Sequence, residues 1–458
     1  MRAMGIDIGT TTISVIVINA ETGESLGTRT IAHQGFIDGH LEVSRVQDPE
    51  KLWKFTEAAV CELIEECGNV ESIGLTGQMH GMLYVDKDGN AASPAYIWQD
   101  GCGNEKMEDG RSYAEVLKQT GGAAATGFGL VSHYYLQMNN MIPEDAVKMV
   151  TISDYIGMKL CGSNKAVIAT DMAASWGCFD LEKGEFLLDE LQKIGVNTSY
   201  LPILLKEHEI MGKTVGNVPE GIPVMVSLGD NQASVLGSVS DLCDTVLVNV
   251  GTGSQVSVGT ENYIACGGAI ELRPCVEGTD LLVGSGLCGG RSYAMLEQFY
   301  RDITGSEESL YAVMEKQARA FKEEKGSDAA WKIRTTFSGT RSNPAERGSI
   351  QNIGTVNFHP GAMTLGMLKG VLEELYEMYV VMCDKKGRKP TKLVGSGNGI
   401  RRNTLLQELA EEMFGMKLMI PTCKEEAAYG AALYSLVAAG VEKSLQDVQK
   451  KIRYEECK

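Results

Sequence analysis

The sequence predicts an α/β protein of two related halves, each with a mixed sheet. Apolar, β-branched runs alternate with helical patterns along the chain. One glycine turn occurs twice, in MGIDIGTTTISVIVIN near the start and in TVLVNVGTGSQVSVGT later. In both, an apolar run ends on Asp7 or Asn249, turns through Gly-Thr and resumes with β-branched residues. This repeat, one at the head of each half, predicts two nucleotide-binding halves with a cleft between them.

The composition is that of a soluble globular protein with room for two or three domains. The 458 residues are 43% hydrophobic and 22% charged. A net charge of −18 argues against nucleic acid and against anionic membrane surfaces, because both attract excess Lys and Arg. We expect no signal peptide, because a strand pattern begins at once, and no apolar run approaches the ~20 residues of a membrane span. The 12 scattered cysteines predict reduced thiols in a cytoplasmic protein.

The first half, taken as residues 1–240, is predicted to alternate strands and helices. The expected elements are a hairpin over 4–19, a helix over 49–67, strands flanking the turn in SIGLTGQMHGMLYVD, a short helix over 145–160 and a strand over 223–228. Asp48 suits the N-cap and Pro49 the first position of the helix over 49–67. The run NQASVLGSV, after the last strand, indicates another helix.

The second half, taken as residues 241–458, follows the polar stretch SVSDLCD. Its expected elements are a strand over 280–284 and helices over 291–303, 364–385, 402–414 and 425–439. Strands and helices alternate here as well, which again favours the α/β class.

The first Gly-Thr turn is suited to phosphate. Gly9 lets the backbone approach a ligand closely, and Thr10 and Thr11 offer N–H and hydroxyl donors. Asp7, at the strand end, suits Mg²⁺ held through water. An ordinary hairpin turn is the alternative, but the recurrence of the turn favours phosphate. The Walker pattern G-x-x-x-x-G-K-[ST] is absent, which excludes a P-loop.

The second Gly-Thr turn offers the same backbone and hydroxyl donors as the first but lacks its acidic residue. Gly251 and Thr252 correspond to the first turn, but Asn249 stands where the first half has Asp7, so we expect a phosphate clamp without a metal role. Gly290, at the start of a predicted helix, suits helix packing or the edge of a nucleotide.

Two further glycine patterns have open interpretations. Gly284, Gly286 and Gly289 match G-x-G-x-x-G, but a dinucleotide fold is disfavoured because no Rossmann unit opens there. The turn GSGNG at 395–399 suits close approach to a flat ligand such as adenine, or equally a tight strand-to-helix connection.

Asp230 is the carboxylate that we expect to act as a base. It ends an apolar strand and opens a helix, at the edge where α/β folds place ligands. Phosphoryl transfer needs a carboxylate that accepts the hydroxyl proton, with metal and donors around the phosphates. Asp7 and Asp230 would fill the metal and base roles, whereas a helix N-cap is the ordinary alternative for Asp230.

The segments GQMHGM and YIWQD are candidate ligand contacts. His80 lies between Gly77 and Gly81 at a strand-edge turn, which favours a ligand contact over a structural role. Trp98 offers a wall for the apolar face of a sugar, and Asp100 can bond hydroxyls. A core anchor is the alternative for Trp98.

Eight motifs occur in order across nearly the whole chain: DIGTTT, GLTGQMHG, WQDG, SLGDNQAS, NVGTGSQ, FSGTRSNPAERG, VGSGNGIRRN and EEAAYGAAL. Together they resemble the FGGY carbohydrate kinases, within the actin-like ATPase superfamily. The resemblance implies two actin-like, ribonuclease H-like domains that flank an ATP and sugar cleft. It also implies ATP-dependent phosphorylation of a ketose at its terminal primary hydroxyl.

Two stretches narrow the resemblance, and one position departs from it. ATGFG and DMAASWGCFD resemble the sedoheptulokinase branch more than the xylulokinases, which implies sedoheptulose 7-phosphate as the product. Related kinases commonly carry Arg directly after the WQDG-like stretch, whereas Cys102 and Gly103 follow here. This departure bears on the choice of sugar more than on catalysis.

The site residues are those that match the family's motifs. The expected catalytic residues are Asp230 as base and Asp7 as metal-associated acid. The expected nucleotide contacts are Gly9, Thr10, Thr11, Gly251, Thr252, Gly290, Gly397 and Asn403. The expected sugar contacts are Gln78, His80, Trp98, Asp100, His133, Asp230 and Asn231.

The sequence therefore predicts a cytoplasmic ketose kinase that uses ATP and Mg²⁺. A xylulokinase or another pentulose kinase is the nearest alternative, and a non-catalytic actin-like filament or nucleotide sensor is an alternative of another class. The oligomeric state stays open, with a homodimer among the options.

Overall fold

A computed structural model describes residues 1–38, 41–340, 343 and 345–455. The chain forms two compact units. Unit 1 comprises Met1–Ser240, Arg273–Gly278 and Glu425–Ile452, and unit 2 comprises Asp241–Leu272, Thr279–Lys424 and the described residues from Arg453 onward. Arg341, Ser342 and Pro344, from the motif FSGTRSNPAERG, lie outside the described residues.

The structure assigns 24 strands among the described residues. They are β1 (Arg2–Ile8), β2 (Thr12–Asn19), β3 (Ser25–Ala32), β4 (Phe36–Ile37), β5 (Val46–Gln47), β6 (Ser72–Gly77), β7 (Leu83–Val85), β8 (Ala95–Tyr96), β9 (Lys148–Val150), β10 (Val167–Ala169), β11 (Phe179–Asp180), β12 (Glu185–Phe186), β13 (Ile203–Leu205), β14 (Ile210–Lys213), β15 (Pro223–Met225), β16 (Leu228–Gly229), β17 (Thr245–Val250), β18 (Ser254–Thr260), β19 (Ile270–Pro274), β20 (Asp280–Gly286), β21 (Lys332–Arg334), β22 (Ser349–Gln351), β23 (Lys392–Ser396) and β24 (Leu418–Met419).

The α-helices of the same residues number 14. They are α1 (Pro49–Cys67), α2 (Tyr113–Leu117), α3 (Gly129–Met138), α4 (Ile152–Cys161), α5 (Thr170–Ser175), α6 (Leu188–Ile194), α7 (Asp230–Ser238), α8 (Gly290–Thr304), α9 (Tyr311–Lys325), α10 (Pro360–Lys386), α11 (Asn398–Arg402), α12 (Thr404–Phe414), α13 (Glu426–Ala438) and α14 (Leu445–Gln449). In this part of the chain no helix combines the length and the apolar character needed to cross a membrane.

The two units carry mixed sheets with the same internal pattern. The sheet of unit 1 runs β14-β15-β6-β1-β2-β3, with β16 also on β6, and that of unit 2 runs β19-β20-β18-β17-β23-β24. In each, three adjacent antiparallel strands (β1-β2-β3, or β17-β18-β20) are followed by parallel neighbours of the first of them. The Gly-Thr turns join β1 to β2 and β17 to β18. The predicted α/β class and the repeated strand–turn–strand unit are therefore confirmed.

Helix α1 follows from its sequence signals. The Asp48 carboxylate accepts a hydrogen bond from the Lys51 N–H at 3.1 Å, and Pro49 occupies the first turn. The buried residues on its inner face include Leu52, Val60 and Leu63, which join the core beneath β1 and β2. This helix, with its cap, was predicted correctly.

Three predicted elements need correction. The helix expected over 145–160 begins only at Ile152, because Lys148–Val150 pairs with β7 and the Thr151 hydroxyl caps the helix by accepting from the Asp154 N–H. The strand expected over 223–228 breaks into β15 and β16, since the Asp154 carboxylate takes the Ser227 N–H in place of a backbone carbonyl. The helix expected over 402–414 is interrupted at Asn403, which caps α12.

The helix α13 lies in unit 1, although the two expected halves were drawn as the continuous segments 1–240 and 241–458. It packs directly on glycines of β1 and β6. A Cβ on Gly5 would lie 1.8 Å from the Ala428 carbonyl oxygen, and a Cβ on Gly74 would lie 1.9 Å from the Ala431 carbonyl oxygen. Only glycine permits this approach of helix to strand.

Candidate functional site

Three of the predicted site segments of unit 1 meet at one edge of its sheet. Strands β1 and β6 run parallel with Asp7 opposite Thr76, and β16 runs parallel to β6 with Gly229 opposite Gly77. Because the carboxyl ends of parallel strands share an edge, the turn after β1, the segment after β6 and Asp230 after β16 lie together.

Asp7 is a buried carboxyl with an unsatisfied oxygen. Its Oδ1 is buried and has no hydrogen-bond partner. Burial and, to a smaller extent, the charges of Asp230 and Glu425 raise its pKa to about 8. A bound cation would stabilise the ionised carboxylate and so lower its pKa. Mg²⁺ is usually held by one or two carboxylates with waters and phosphates, so Asp7 fits a hydrated Mg²⁺.

Asp230 is the first residue of α7 and shares this environment. Burial raises its pKa, while the Arg273 guanidinium and the Asn231 N–H oppose that rise. Arg273 Nη1 also donates to Asn231 Oδ1 at 3.2 Å, which fixes the residue beside the carboxylate. Arg273 and Glu425 were not predicted from the sequence, because each is far along the chain from the residues that it faces.

The first Gly-Thr turn is tied to two predicted sugar-contact segments. The Thr10 hydroxyl accepts from Trp98 Nε1 at 3.0 Å and donates to Gln78 Oε1 at 3.3 Å. Gln78 Nε2 donates to Gln47 Oε1 at 2.7 Å, and Gln47 Nε2 donates to the Thr10 carbonyl at 2.7 Å. Thr10, Gln78 and Gln47 form a closed ring of hydrogen bonds into which Trp98 donates, and Gln47 is fully buried. Gln47 was missed, because a lone Gln in a short strand carries no sequence signal.

His80 adopts a left-handed backbone conformation at the turn after β6, with a φ of 73°. Its N–H donates to Ser175 Oγ at 3.0 Å, and its Nδ1 lies 2.7 Å from the Ser175 carbonyl oxygen. The ring stacks on Phe128, with centroids 4.4 Å apart. These contacts hold the imidazole in one orientation at the edge that carries Asp230. Ser175 and Phe128 are further residues that sequence reasoning did not single out.

Trp98 and Asp100 differ in exposure. The Trp98 side chain is 45% exposed, so it is not the core anchor of the alternative interpretation. Asp100 is 1% exposed, and its oxygens accept from Ser132 Oγ at 3.0 Å and from the Arg45 N–H at 3.4 Å. These partners give Asp100 a scaffold role in this structure, which orients the segment carrying Trp98.

His133 is engaged by the protein at both ring nitrogens. Its Nε2 lies 3.1 Å from the Asn197 carbonyl oxygen, which can only accept, so Nε2 carries the proton. Nδ1 then accepts from the Tyr84 hydroxyl at 2.6 Å. Burial lowers the pKa of His133 to about 4, which keeps the ring neutral. This arrangement favours a core role over the expected sugar contact.

The position directly after the WQDG-like stretch is Cys102, and the next residue, Gly103, leaves no room for a side chain. A Cβ on Gly103 would lie 2.6 Å from Val131 Cγ1 and 2.9 Å from the Thr126 Cα. The Cys102 thiol is buried within 3.1 Å of Ser44 Oγ. The departure from the family pattern is therefore built into the local packing of this chain.

The second Gly-Thr turn, in unit 2, lies beside the glycine turn after β23. Strands β17 and β23 run parallel with Asn249 opposite Ser396, and Asn249 Nδ2 donates to Ser396 Oγ at 2.8 Å. Gly397, with a φ of 83°, lies so close that a Cβ would be 2.6 Å from the Val250 carbonyl oxygen. The turns after β17 and after β23 thus share one edge of the sheet in unit 2. At this edge the neutral amide of Asn249 stands where the first Gly-Thr turn, in unit 1, has the acid Asp7.

The start of α8 closes the other side of that turn. The Gly290 N–H donates to the Gly251 carbonyl at 2.9 Å, and the Arg291 N–H donates to the Thr252 carbonyl at 3.0 Å. A Cβ on Gly290 would lie 2.4 Å from the Gly251 carbonyl oxygen. Gly290 therefore serves the shape of the turn. Asn403 caps α12 by accepting from the Leu406 N–H at 2.9 Å.

The G-x-G-x-x-G match has a packing explanation. A Cβ on Gly284 would lie 2.6 Å from Met378 Sδ, and β20 pairs antiparallel with β18. A dinucleotide-binding unit needs a parallel strand–helix–strand crossover at this point. The geometry therefore argues against a dinucleotide-binding unit at these glycines.

A separate cavity of about 370 Å³ lies in unit 2. Its lining includes Glu271, Glu346, Glu374, Glu377 and Arg334. None of the residues expected to bind nucleotide or sugar lines it. The candidate site is thus defined by the sheet edges and not by this cavity.

Comparison with protein families finds two matching models. The N-terminal domain of the FGGY family of carbohydrate kinases matches residues 2–237, and the C-terminal domain of the same family matches residues 248–439. Together these matches extend over most of the chain.

Curated proteins similar to the chain include sedoheptulokinases and xylulose kinases. Sedoheptulokinase of Mus musculus is 28% identical over 475 residues, which cover 94% of this chain and 97% of that protein. Sedoheptulokinase of Homo sapiens is 25% identical, with the same two coverages. Xylulose kinase of Escherichia coli (strain K12) is 26% identical over 485 residues, which cover 99% of this chain and 93% of that protein.

Solved structures similar to the chain share its two-domain α/β fold. The xylulose kinase from Rhodospirillum rubrum has a TM-score of 0.86 at 19% identity, covering 100% of this chain and 93% of that chain. Plasmodium falciparum glycerol kinase with ADP has a TM-score of 0.83 at 17% identity, covering 99% and 92%. At these identities the likeness establishes the fold alone, which is a two-domain mixed α/β fold.

Proposed function

Because this chain belongs to the FGGY family of carbohydrate kinases, we propose that it transfers the γ-phosphoryl group of ATP to the terminal primary hydroxyl of a ketose. The preferred substrate in this proposal is sedoheptulose, and the product is sedoheptulose 7-phosphate. Two sedoheptulokinases among the similar proteins, each spanning 94% of this chain, support that choice over a pentulose.

The observation that carries the proposal is the meeting of Asp7, Asp230 and the first Gly-Thr turn at one sheet edge. Asp230 accepts the proton of the sugar hydroxyl while the hydroxyl oxygen forms the bond to the γ-phosphorus of ATP. The bond from that phosphorus to the bridging oxygen of ADP breaks, and ADP leaves. Phosphoryl transfer asks little more of the protein than such positioning and charge stabilisation.

Asp7 would hold Mg²⁺ through its unsatisfied Oδ1. When bound, the metal neutralises charge on the phosphate oxygens. The N–H groups of Thr10 and Thr11 and the Thr11 hydroxyl would bind and orient the transferred phosphate on the same side of the sheet.

In unit 2, the backbone of Gly251 and Thr252 would bind the nucleotide phosphates. Gly397, where the backbone of two turns meets, would lie against the adenosine. Asn249 carries no charge and is held by Ser396, which suits a neutral phosphate clamp. None of these groups carries a charge, so they do not repel phosphate despite the net charge of −18.

His80 and Trp98 would contact the sugar. The His80 ring is fixed by Ser175 and Phe128, and the exposed indole of Trp98 offers a flat apolar face. Both lie on segments that are hydrogen-bonded to residues of the edge that carries the base.

A substrate panel tests the proposal. Purified protein is given ATP and Mg²⁺ with sedoheptulose, D-xylulose or D-ribulose, and kcat/KM is measured for each. We expect the highest kcat/KM with sedoheptulose and a product phosphorylated at the terminal carbon by ³¹P NMR. A higher kcat/KM with xylulose would make the chain a xylulokinase. ATP turnover that is equal with and without sugar, or polymerisation with ATP, would favour the filament or sensor alternative.

A further inference from the structure

We infer that Asp171 is a positioning residue that holds the Asp230 turn and the His80 turn in register through the short helix α5. The inference rests on the proposed function, because it assigns to Asp171 the placement of the base relative to the sugar contact. Asp171 itself does not touch the reacting atoms.

The first contact joins Asp171 to the backbone directly before the base. Asp171 Oδ2 accepts from the Gly229 N–H at 2.7 Å, and Gly229 precedes Asp230. Asp171 is 4% exposed, and burial raises its pKa to about 7 while the N–H groups of Gly229 and Met172 oppose that rise. A buried carboxyl is costly unless its hydrogen bonds are satisfied. Here those bonds go to the base-bearing strand and to the start of α5.

The second contact joins the far end of α5 to the predicted sugar contact. Ser175, the last residue of α5, accepts from the His80 N–H through Oγ at 3.0 Å, and its carbonyl faces His80 Nδ1 at 2.7 Å. His80 has a positive φ, which is unfavourable for a residue other than glycine and persists only where neighbours hold it. Helix α5 is thus held to the base turn at one end and to the His80 turn at the other.

A second buried carboxylate, that of Asp154, binds the segment before the base at Ser227, two residues before Gly229. Asp154 Oδ1 accepts from Ser227 Oγ at 2.7 Å and from the Ser227 N–H at 3.3 Å, and its Oδ2 accepts from Thr151 Oγ1 at 2.6 Å. The N–H groups of Ser227 and Gly229, alternate residues before the base, are therefore both bound by buried carboxylates. A backbone ladder would satisfy them at lower cost, because buried charges carry a desolvation penalty.

The position of Asp230 relative to the sugar therefore depends on the side-chain contacts of Asp171 and Asp154 as well as on strand pairing. A displacement of about 1 Å of a catalytic group can lower turnover about 100-fold. Loss of the Asp171 acceptor frees the Gly229 N–H and releases α5 from the base turn. The expected effect is therefore on kcat, with a smaller effect on sugar binding.

The test compares Asp171→Ala and Asp171→Asn in the full chain, with Ser72→Ala as a matched control. Ser72 is fully buried and bonds Ser435 Oγ at 2.8 Å, at the opposite end of β6. We expect Asp171→Ala to lower kcat about 30- to 100-fold while the sedoheptulose Kd, measured by calorimetry, changes less than about threefold. Asp171→Asn retains an acceptor oxygen and should recover most of kcat. Ser72→Ala should lower Tm without changing kcat.

Two outcomes overturn the inference. The first is a folded Asp171→Ala protein with kcat within about threefold of the wild type; where that variant does not fold, the same result for Ser175→Ala counts against it. The second is a loss that appears only as a raised sugar Kd. Failure of the proposed function is distinguishable, because Asp230→Ala would then retain turnover whatever Asp171 does.

Discussion

Gln47 Nε2 donates to the Thr10 carbonyl oxygen at 2.7 Å, from a side chain that is fully buried. Its Oε1 accepts from Gln78 at 2.7 Å, so one amide ties the first Gly-Thr turn to the segment after β6. The turn expected to bind phosphate and the segment expected to bind sugar are therefore parts of one hydrogen-bonded unit.

Replacing that amide should uncouple the two segments. Gln47→Leu leaves the Thr10 carbonyl and the Gln78 amide unpaired, at about 1–3 kcal/mol for each buried group. We expect kcat/KM for the sugar to fall about 10- to 100-fold in a steady-state assay. Thr56→Val is the control, because Thr56 is equally buried but bonds only Leu52 within α1. Equal kcat/KM values for both variants would show that the ring does not matter.

The ionised Asp7 carboxylate should lower the stability of the metal-free fold. Its pKa is about 8 in the folded chain, above the ordinary 3.8, so folding is favoured at low pH and loses free energy as pH rises from about 4 to 8. Asp7→Asn removes this loss, so the metal-free variant should exceed the wild type in free energy of unfolding by about 1–3 kcal/mol at pH 8 and by much less at pH 5. Urea unfolding at both pH values measures this. A variant that is less stable than the wild type at pH 8 would contradict the account.

The same substitution should abolish Mg²⁺-dependent turnover. A neutral amide cannot replace the carboxylate toward a hydrated cation. We expect kcat to fall at least about 100-fold at saturating Mg²⁺. Circular dichroism should show that the variant is folded like the wild type. Wild-type kcat in Asp7→Asn would remove Asp7 from the metal role.

His133 should behave as a core residue. His133→Leu leaves the Tyr84 hydroxyl without its acceptor, at a cost of about 1–3 kcal/mol in the free energy of unfolding. The sugar KM should stay within about twofold of the wild type. A large rise in KM with unchanged stability would restore His133 to the sugar site.

The contact of α13 with β1 and β6 should tolerate no side chain at Gly74. Gly74→Ala places a Cβ against the Ala431 carbonyl and should cost about 3 kcal/mol or more, measured by denaturant unfolding. Gly267→Ala is the control, because its Cβ would meet nothing within 4 Å. Comparable stability of the two variants would refute the close packing of α13.

Local signals in the sequence were sufficient for much of the fold. The Asp48 cap, the Pro49 start and the two Gly-Thr hairpins each depend on residues within a few positions, and all of them are present. Apolar runs also placed Asp7 and Asp230 beside strand ends, and the structure brings those strand ends to one edge of the first sheet.

Features that depend on distant contacts could not be read in this way. The return of α13 to the first sheet depends on Gly5 and Gly74, whose purpose shows only when the helix is in place. The break between β15 and β16 depends on the Asp154 carboxylate, far away in the chain. For His133, one residue type suits both a ligand contact and a core hydrogen bond, and only the positions of Tyr84 and Asn197 decide between them.

The most direct measurement of the central claim is turnover by Asp230→Ala with sedoheptulose, ATP and Mg²⁺. Removing a general base should lower kcat about 100- to 10,000-fold, while the sedoheptulose Kd by calorimetry stays within about threefold of the wild type. Asp88→Ala, at an exposed position, serves as the control and should keep wild-type kcat. A folded Asp230→Ala protein with kcat within about threefold of the wild type would contradict the assignment of Asp230 as the base.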